Sequence, residues 1–333
     1  MILAGDIGGT HTRLAFIDVA NGALRPACAG VFPSHEYRGL EEIVSKFASE
    51  HELRPDAACF GVAGPVLSGR VETPNLPWII ESKHLANELA LPSVALINDL
   101  EANAWGIATL EPKDLVLLNS VKSGSVGNQA VISAGTGLGE AGLYWDGTRH
   151  HIFASEGGHA DFAPRDELQM ELLQYLIARF GHVSYERVVS GPGLVNIFYF
   201  LRDTKRGTEP AWLTEQIAHG DAAAAISQAA SERRCPLCEH ALDLFVSIYG
   251  AEAGNLALKV KATGGVYLGG GIAPKILTKL AGPLFMQSFL AKGRMQALLE
   301  MIPVKVINND STALMGAARC AAATLSGNHA LQT

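Results

Sequence analysis

A chain of 333 residues is too long for one ordinary hydrophobic core and long enough for two. Its 48% hydrophobic and 18% charged residues exclude a disordered chain, and a net charge of −7 argues against a nucleic-acid partner, which usually needs a basic face. Met1-Ile2-Leu3-Ala4-Gly5-Asp6 has no basic n-region and meets a carboxylate almost at once, so no signal peptide is expected. The most apolar uncharged stretch, Val188 to Leu201, is short for a membrane span and carries Ser190-Gly191-Pro192-Gly193 within it, so no membrane contact is expected either.

In chain order, Ile2 to Asp6 predicts a short buried strand running to Gly8-Gly9, and Thr12 to Asp18 a returning strand, together a hairpin around a glycine turn. Leu40, Ile43, Val44 and Phe47 recur at helical spacing. Ala57 to Val62 and Val94 to Ile97 read as further buried strands, the second running through Asn98-Asp99 into a helix from Glu101 to Ala108. A second cycle starts near Leu115: Ala130 to Ser133 is a strand, Ala134 to Gly139 a turn, and Gly142 to Trp145 a returning strand, as a duplicated domain would have it. Helices follow at Glu167 to Arg179, Gly193 to Leu201 and Glu239 to Val260. Gly264 to Gly271 predicts a strand entering a glycine turn, with Pro274 placed to open a helix. Val304 to Ile307 is a last strand, and Ser311 caps a final Ala-rich helix.

The five cysteines, Cys28, Cys59, Cys235, Cys238 and Cys320, are scattered and odd in number, which disfavours a disulfide framework and suits a reducing cytoplasm. Cys235-Pro-Leu-Cys238 lacks the further ligands a zinc site needs and reads as a surface turn entering a helix.

No GxxxxGK[ST] occurs, and no GxGxxG opens a helix after the first strand, so neither a P-loop nor a dinucleotide fold is supported. Phosphate has another route in Gly5-Asp6-Ile7-Gly8-Gly9-Thr10, where a tight hairpin turn lets successive backbone N–H groups face one point. A carboxylate in such a loop defeats itself unless a cation sits between, so Asp6 suggests indirect Mg²⁺ binding through water, with no direct protein ligand set. An ordinary hairpin with a satisfied Asp is the plain alternative. Ala134-Gly135-Thr136-Gly137 repeats the turn in the second half.

These motifs, with Ile97-Asn98-Asp99, Ser155-Glu156-Gly157-Gly158-His159, Glu186, Ser190-Gly191-Pro192-Gly193 and Gly269-Gly270-Gly271-Ile272-Ala273-Pro274, occur in the order found in the bacterial glucokinase family, which the chain resembles from residue 5 to roughly 275 and again in its last helix. It is similar to the branch without a structural zinc cluster, because no His/Cys-rich run follows His159. The resemblance implies an α/β, two-lobed hexokinase/actin-like fold (a duplicated ribonuclease H-like unit) with a central cleft. The expected lobes are 1–108 plus 310–333, with the first phosphate loop and the catalytic Asp, and 109–309, with the second phosphate loop and the sugar and adenosine contacts.

The resemblance further implies ATP and Mg²⁺ as cofactors and glucose as acceptor, with a homodimer only by family habit. Gly5, Asp6, Ile7, Gly8, Gly9 and Thr10, with Gly135, Thr136 and Gly137, would hold the ATP phosphates, and the turn around Gly270 would lie near the adenosine. Asp99 matches the catalytic base; Asn98, Asp99, Glu156, His159 and Glu186 match residues that bind the sugar hydroxyls. His11 stands where the family commonly has Asn, so that side-chain contact is not carried over, whereas the backbone nest is. Each assignment has a plainer rival: Asp99 or Asn98 as a helix N-cap, His159 as a core imidazole tied to a carbonyl, Glu186 paired with Arg187 or Arg179 on a solvated face. Rival functions on the same fold are a kinase for another hexose or an amino sugar, a sugar-sensing regulator and a polymerising actin-like protein. The phosphate loop's start at Gly5 leaves a regulator little room for a preceding DNA-binding domain, and the group Asp99, Glu156 and His159 would be pointless in a polymer.

Overall fold

The computed structural model describes residues 1–20, 23–73, 76–121 and 126–325. Contacts divide the chain into two compact units, Met1–Lys113 with Asn309–Thr333, and Asp114–Asn308. Residues 326–333 of the expected first lobe lie outside the described residues.

In the first unit, β1 (Ile2–Ile7) and β2 (His11–Ala20) form the expected hairpin, with Ile7 opposite Thr12 and Ile2 opposite Ile17. β3 (Ala23–Pro33) continues it antiparallel, with a bulge opposite Phe16 and Ile17. β3 is an edge strand, which is where Pro26 is tolerated because no further strand needs its missing N–H. Its exposure on both faces removes the two-residue hydrophobic alternation, and the sequence gives no strand signal there. α1 (Leu40–His51) buries all four residues of its apolar stripe, and Phe47 stacks on Phe16 of β2. β4 (Ala57–Val62) pairs parallel with β1, and every residue of it is buried, as a strand covered on both faces requires. A small hairpin of β5 (Arg70–Glu72) and β6 (Ile79–Glu81) leads to α2 (Ser82–Glu88). β7 (Ala95–Asn98), one residue later than expected, pairs parallel with β4 and runs directly into α3 (Asp99–Gly106).

The second unit opens with β8 (Leu115–Leu117), then β9 (Gln129–Ala134), β10 (Leu138–Trp145) and β11 (His150–Ser155). The glycine turn between β9 and β10 is only Gly135 to Gly137, because Leu138 and Gly139 already pair with Ala134 and Ser133. Five helices follow, α4 (Glu167–Phe180), α5 (Gly191–Asp203), α6 (Ala211–His219), α7 (Ala222–Ser231) and α8 (Pro236–Lys259), then β12 (Gly265–Gly269). Next come α9 (Leu277–Leu280), α10 (Pro283–Leu290), α11 (Gln296–Leu299) and β13 (Val304–Ile307). The strand order is β11-β10-β9-β12-β13-β8 against β3-β2-β1-β4-β7 in the first unit. In both, an antiparallel three-stranded meander is extended by two parallel strands. The faint repeat in the sequence is thus a repeat of topology.

α12 (Thr312–Leu325) belongs to the first unit and crosses α3 at backbone contact. A Cβ on Gly316 would fall 1.8 Å from the Ala102 carbonyl oxygen, and one on Gly106 would fall 2.1 Å from that of Thr312. Only glycine permits that approach, which fixes α3 and the residues at its start.

Two expectations are corrected. Pro274 opens no helix: residues 270–276 form consecutive turns and α9 begins at Leu277, because Gly270 at φ +79° bends the chain away first. Cys235 and Cys238 do start α8, with Pro236 in its first turn, but they are 1% and 0% exposed and no surface turn. Burial, then Cys235, raises the Cys238 pKa far above the usual thiol range, which keeps the thiol protonated and inert. None of the five cysteines, all among the described residues, is in a disulfide. Among the described residues no helix is long and apolar enough to cross a membrane.

Candidate active site

The two glycine turns are built alike. In the first unit the Gly8 N–H donates to the His11 carbonyl at 3.0 Å; in the second the Gly135 N–H donates to the Gly137 carbonyl at 2.9 Å. Each bond closes its turn, and a glycine turn of this kind can present backbone N–H groups to an anion. The first turn is held from below by Ser34, which the sequence reading missed. Its hydroxyl donates to the Gly8 carbonyl at 2.8 Å, its N–H donates to the Thr10 carbonyl at 3.0 Å, and its Oγ lies 3.0 Å from Thr12 Oγ1. Ser34 follows a strand without a hydrophobic pattern, so no sequence signal pointed to it.

Asp6 lies near the end of β1 with Arg13 Nη1 at 3.8 Å, an ion pair too long for a hydrogen bond. Burial raises the Asp6 pKa; Arg13 opposes this, and Asp310, itself bonded to Arg13 at 3.5 Å, adds to it. The side chain keeps 23% exposure, so water can reach it. Among the described residues no group of three or more His, Cys, Asp or Glu is arranged to hold a metal ion. A single wet carboxylate beside an anion nest fits Mg²⁺ that arrives on a polyphosphate and keeps most of its water, and would not hold a bare ion.

At the start of α3 the sequence left open whether Asn98 or Asp99 caps the helix. Asn98 does: its Oδ1 accepts from the Leu100 N–H at 2.7 Å, and Glu101 Oε2 accepts from the Asn98 N–H at 2.9 Å, a reciprocal capping box. Asn98 Nδ2 also donates to the Gly64 carbonyl at 3.0 Å, so the side chain retains one N–H and one lone pair for any ligand. Asp99 is the first helical residue, and the backbone beneath it is pinned by the box and by α12. The Asn-x-x-Glu spacing was readable in the sequence as a capping box, and Glu101 was not singled out.

In the second unit Glu156, His159 and Glu186 come together. His159 Nδ1 is 3.9 Å from Glu156 Oε2, and its Nε2 is 4.0 Å from Glu186 Oε1. Glu156 and His159 are 63% and 61% exposed, so His159 is no core imidazole, and Glu186 is 30% exposed. The other oxygen of Glu186, Oε2, accepts from the Leu138 N–H at 3.0 Å, tying this carboxylate to the end of the second glycine turn. Glu186 has no ion pair with Arg187 or Arg179, whose guanidinium groups both lie over the Phe180 ring. The glycines here are steric requirements: a Cβ would lie 2.5 Å from Glu186 Oε2 at Gly137 and 1.9 Å from the Leu138 carbonyl oxygen at Gly158.

The remaining motifs converge on the same turn. The Gly191 N–H, at the start of α5, donates to the Gly135 carbonyl at 2.8 Å, with Ser190 capping the helix through the Gly193 N–H at 3.0 Å. The Ile272 N–H donates to the Ala134 carbonyl at 3.2 Å, and a Cβ at Gly270 would fall 2.3 Å from that oxygen. The Gly269 to Gly271 turn therefore packs beside Gly135 to Gly137.

Comparison with known proteins shows the family. The sequence model of the family described as Glucokinase matches residues 3–324. A glucokinase of Nostoc sp. is 43% identical over 97% of this chain and 99% of its own length. The crystal structure of a glucokinase from an Antarctic psychrotroph is 32% identical, covers 96% of this chain and 98% of its own, and superposes with a TM-score of 0.83. A glucokinase of the ROK family from Streptomyces griseus shares the fold at a TM-score of 0.62, with 20% identity over 96% of this chain and 99% of its own. With both duplicated units, both glycine turns and the Glu156, His159 and Glu186 group in place, this chain belongs to the glucokinase family.

Proposed function

We propose that this chain transfers the γ-phosphoryl group of ATP to the 6-hydroxyl of glucose, with Asp99 as the general base. The observation that carries the sugar assignment is the meeting of Glu156, His159 and Glu186 within 4.0 Å of one imidazole, two of them well exposed, on a turn whose glycines admit no side chain. Two carboxylates that only accept and an imidazole that can accept or donate suit the alternating hydroxyls of a hexose. Asp99 takes the proton from the attacking hydroxyl, and the single amide donor left on Asn98 can bind a neighbouring one. The nests at Gly8 to Thr10 and at Gly135 to Gly137 hold the phosphates, and the turn at Gly270 borders the adenosine. Asp6 would hold the water shell of a Mg²⁺ ion bound with the nucleotide, which would supply charge neutralisation on the phosphates. Phosphoryl transfer asks little covalent work of a protein, so positioning accounts for most of the remaining rate. Five cysteines with no disulfide among them fit a reducing cytoplasm.

A coupled ADP-release assay over a panel of hexoses tests the assignment: glucose should give the highest kcat/KM, and release without sugar should be near background. A higher value for fructose, mannose or an amino sugar would make that sugar the substrate. The turn itself is testable by Gly158→Ala, because the new Cβ meets backbone that cannot swing aside. It should cost about 1–3 kcal/mol of stability, read as a denaturant midpoint, and raise the glucose KM more than the ATP KM.

A further inference from the structure

Under the Glu156 to His159 turn lies a pair of buried carboxyl groups that phosphoryl transfer does not use. Glu140 on β10 is 1% exposed and Glu252 on α8 is 0% exposed, and the charge of Glu252 acts on Glu140. Two ionised carboxylates in one buried site repel, so burial favours the neutral form of Glu140. Both oxygens of Glu252 are already served: Lys259 Nζ donates to Oε1 at 3.0 Å and Asn255 Nδ2 donates to Oε2 at 2.8 Å. Glu140 has no ion pair, and its buried Oε1 has no hydrogen-bond partner among the described residues. The cation and the donors thus sit with Glu252, and Glu140 is left to burial. Burial first, then Glu252, pushes Glu140 up to about 8 against the opposing pull of Lys259.

The other oxygen, Oε2, lies directly below the turn. A Cβ on Gly157 would come 2.0 Å from it, so the Glu156-Gly157-Gly158-His159 turn closes onto this carboxyl only because residue 157 is glycine. The other titratable groups around the pair are Tyr185, bonded from Asn255 at 3.0 Å, Tyr249, which donates to the Ile132 carbonyl at 3.2 Å, and Lys292, which donates to the Ala251 carbonyl at 2.9 Å. Burial, with Arg165 nearby, lowers Lys292 to about 8.

We propose that Glu140 is a positioning residue for glucose recognition: it supports the Gly157 turn and so sets where Glu156 and His159 meet the sugar. This rests on the reading that those two residues bind glucose. Ionisation of Glu140 releases its proton to solvent and places a buried charge beside Glu252 and under the turn, which displaces the turn. For stability the sign is that of an acid held neutral: the contribution is full below the ordinary value of 4.5, falls as pH rises towards about 8, and is level above that.

Glucose KM, ATP KM and kcat measured across neutral to alkaline pH in the parent, Glu140→Gln, Glu140→Ala and Glu156→Gln test this. In the parent, glucose KM should rise at least about threefold across the titration near pH 8 while ATP KM holds steady. Glu140→Gln keeps the size and neutrality of the acid but cannot ionise, so its glucose KM at neutral pH should lie within about twofold of the parent and the alkaline rise should vanish. Glu140→Ala should raise glucose KM about tenfold with ATP KM unchanged. A parent profile without the rise, or a rise that survives in Glu140→Gln and therefore belongs to another group, overturns the proposal. So does an equal loss for both substrates in Glu140→Ala. If the alanine variant does not fold, the Gln profile decides alone. Parental glucose KM in Glu156→Gln would sink the sugar-site reading and this inference with it. Loss there, with both Glu140 variants behaving as the parent, would sink this inference alone.

Discussion

Asp99→Asn should lower kcat by at least about 100-fold while glucose still binds measurably. The substitution keeps size and shape but replaces an oxygen that can take a proton with an amide that cannot. The local structure should tolerate it, because the helix is capped by Asn98 and Glu101, and an Asn Oδ1 can accept from the Leu100 N–H as Asp99 Oδ1 does at 3.0 Å. The measurements are steady-state turnover and direct glucose titration by intrinsic fluorescence. A loss confined to kcat marks an interaction made only in the transition state. Near-parental turnover would reduce Asp99 to a helix-start residue and remove the base from the mechanism.

Glu186→Gln should weaken glucose binding by about 1–3 kcal/mol, a rise of about 5- to 150-fold in Kd, and leave the ATP KM nearly unchanged. Glu186 has two separate tasks, and the variant splits them. Its Oε2 accepts from the Leu138 N–H at 3.0 Å, which a Gln carbonyl can continue to do, so the turn stays in place. Its Oε1, 4.0 Å from His159 Nε2, becomes an N–H group, and a sugar hydroxyl that donated there loses its acceptor. Unchanged glucose affinity would mean that Glu186 only anchors Leu138. An equal loss for glucose and ATP would mean that the turn itself moved.

Much of the scaffold was legible because its causes are local. Alternating and fully apolar runs specify β1, β4 and β9, the spacing of Leu40, Ile43, Val44 and Phe47 specifies α1, and glycine pairs mark both phosphate turns. The family motifs carried the identity of the candidate site residues. β3 and α7 escaped for an equally local reason: an edge strand exposed on both faces, or a helix opening Ala222-Ala-Ala-Ala, has no polar–apolar contrast to read.

What the sequence by itself determined, then, was the order of elements, the duplicated plan and the residue types available for the chemistry. Tertiary structure alone decided which of Asn98 and Asp99 caps α3, that Glu186 binds the Leu138 N–H and not Arg187, that Cys235 and Cys238 are buried, and that Glu140 and Glu252 are buried together. The last two depend on atoms brought close from distant parts of the chain, Glu140 and Glu252 being 112 residues apart. Hydrogen bonding, desolvation and charge repulsion act over a few ångströms of space, and separation along the sequence does not predict that distance.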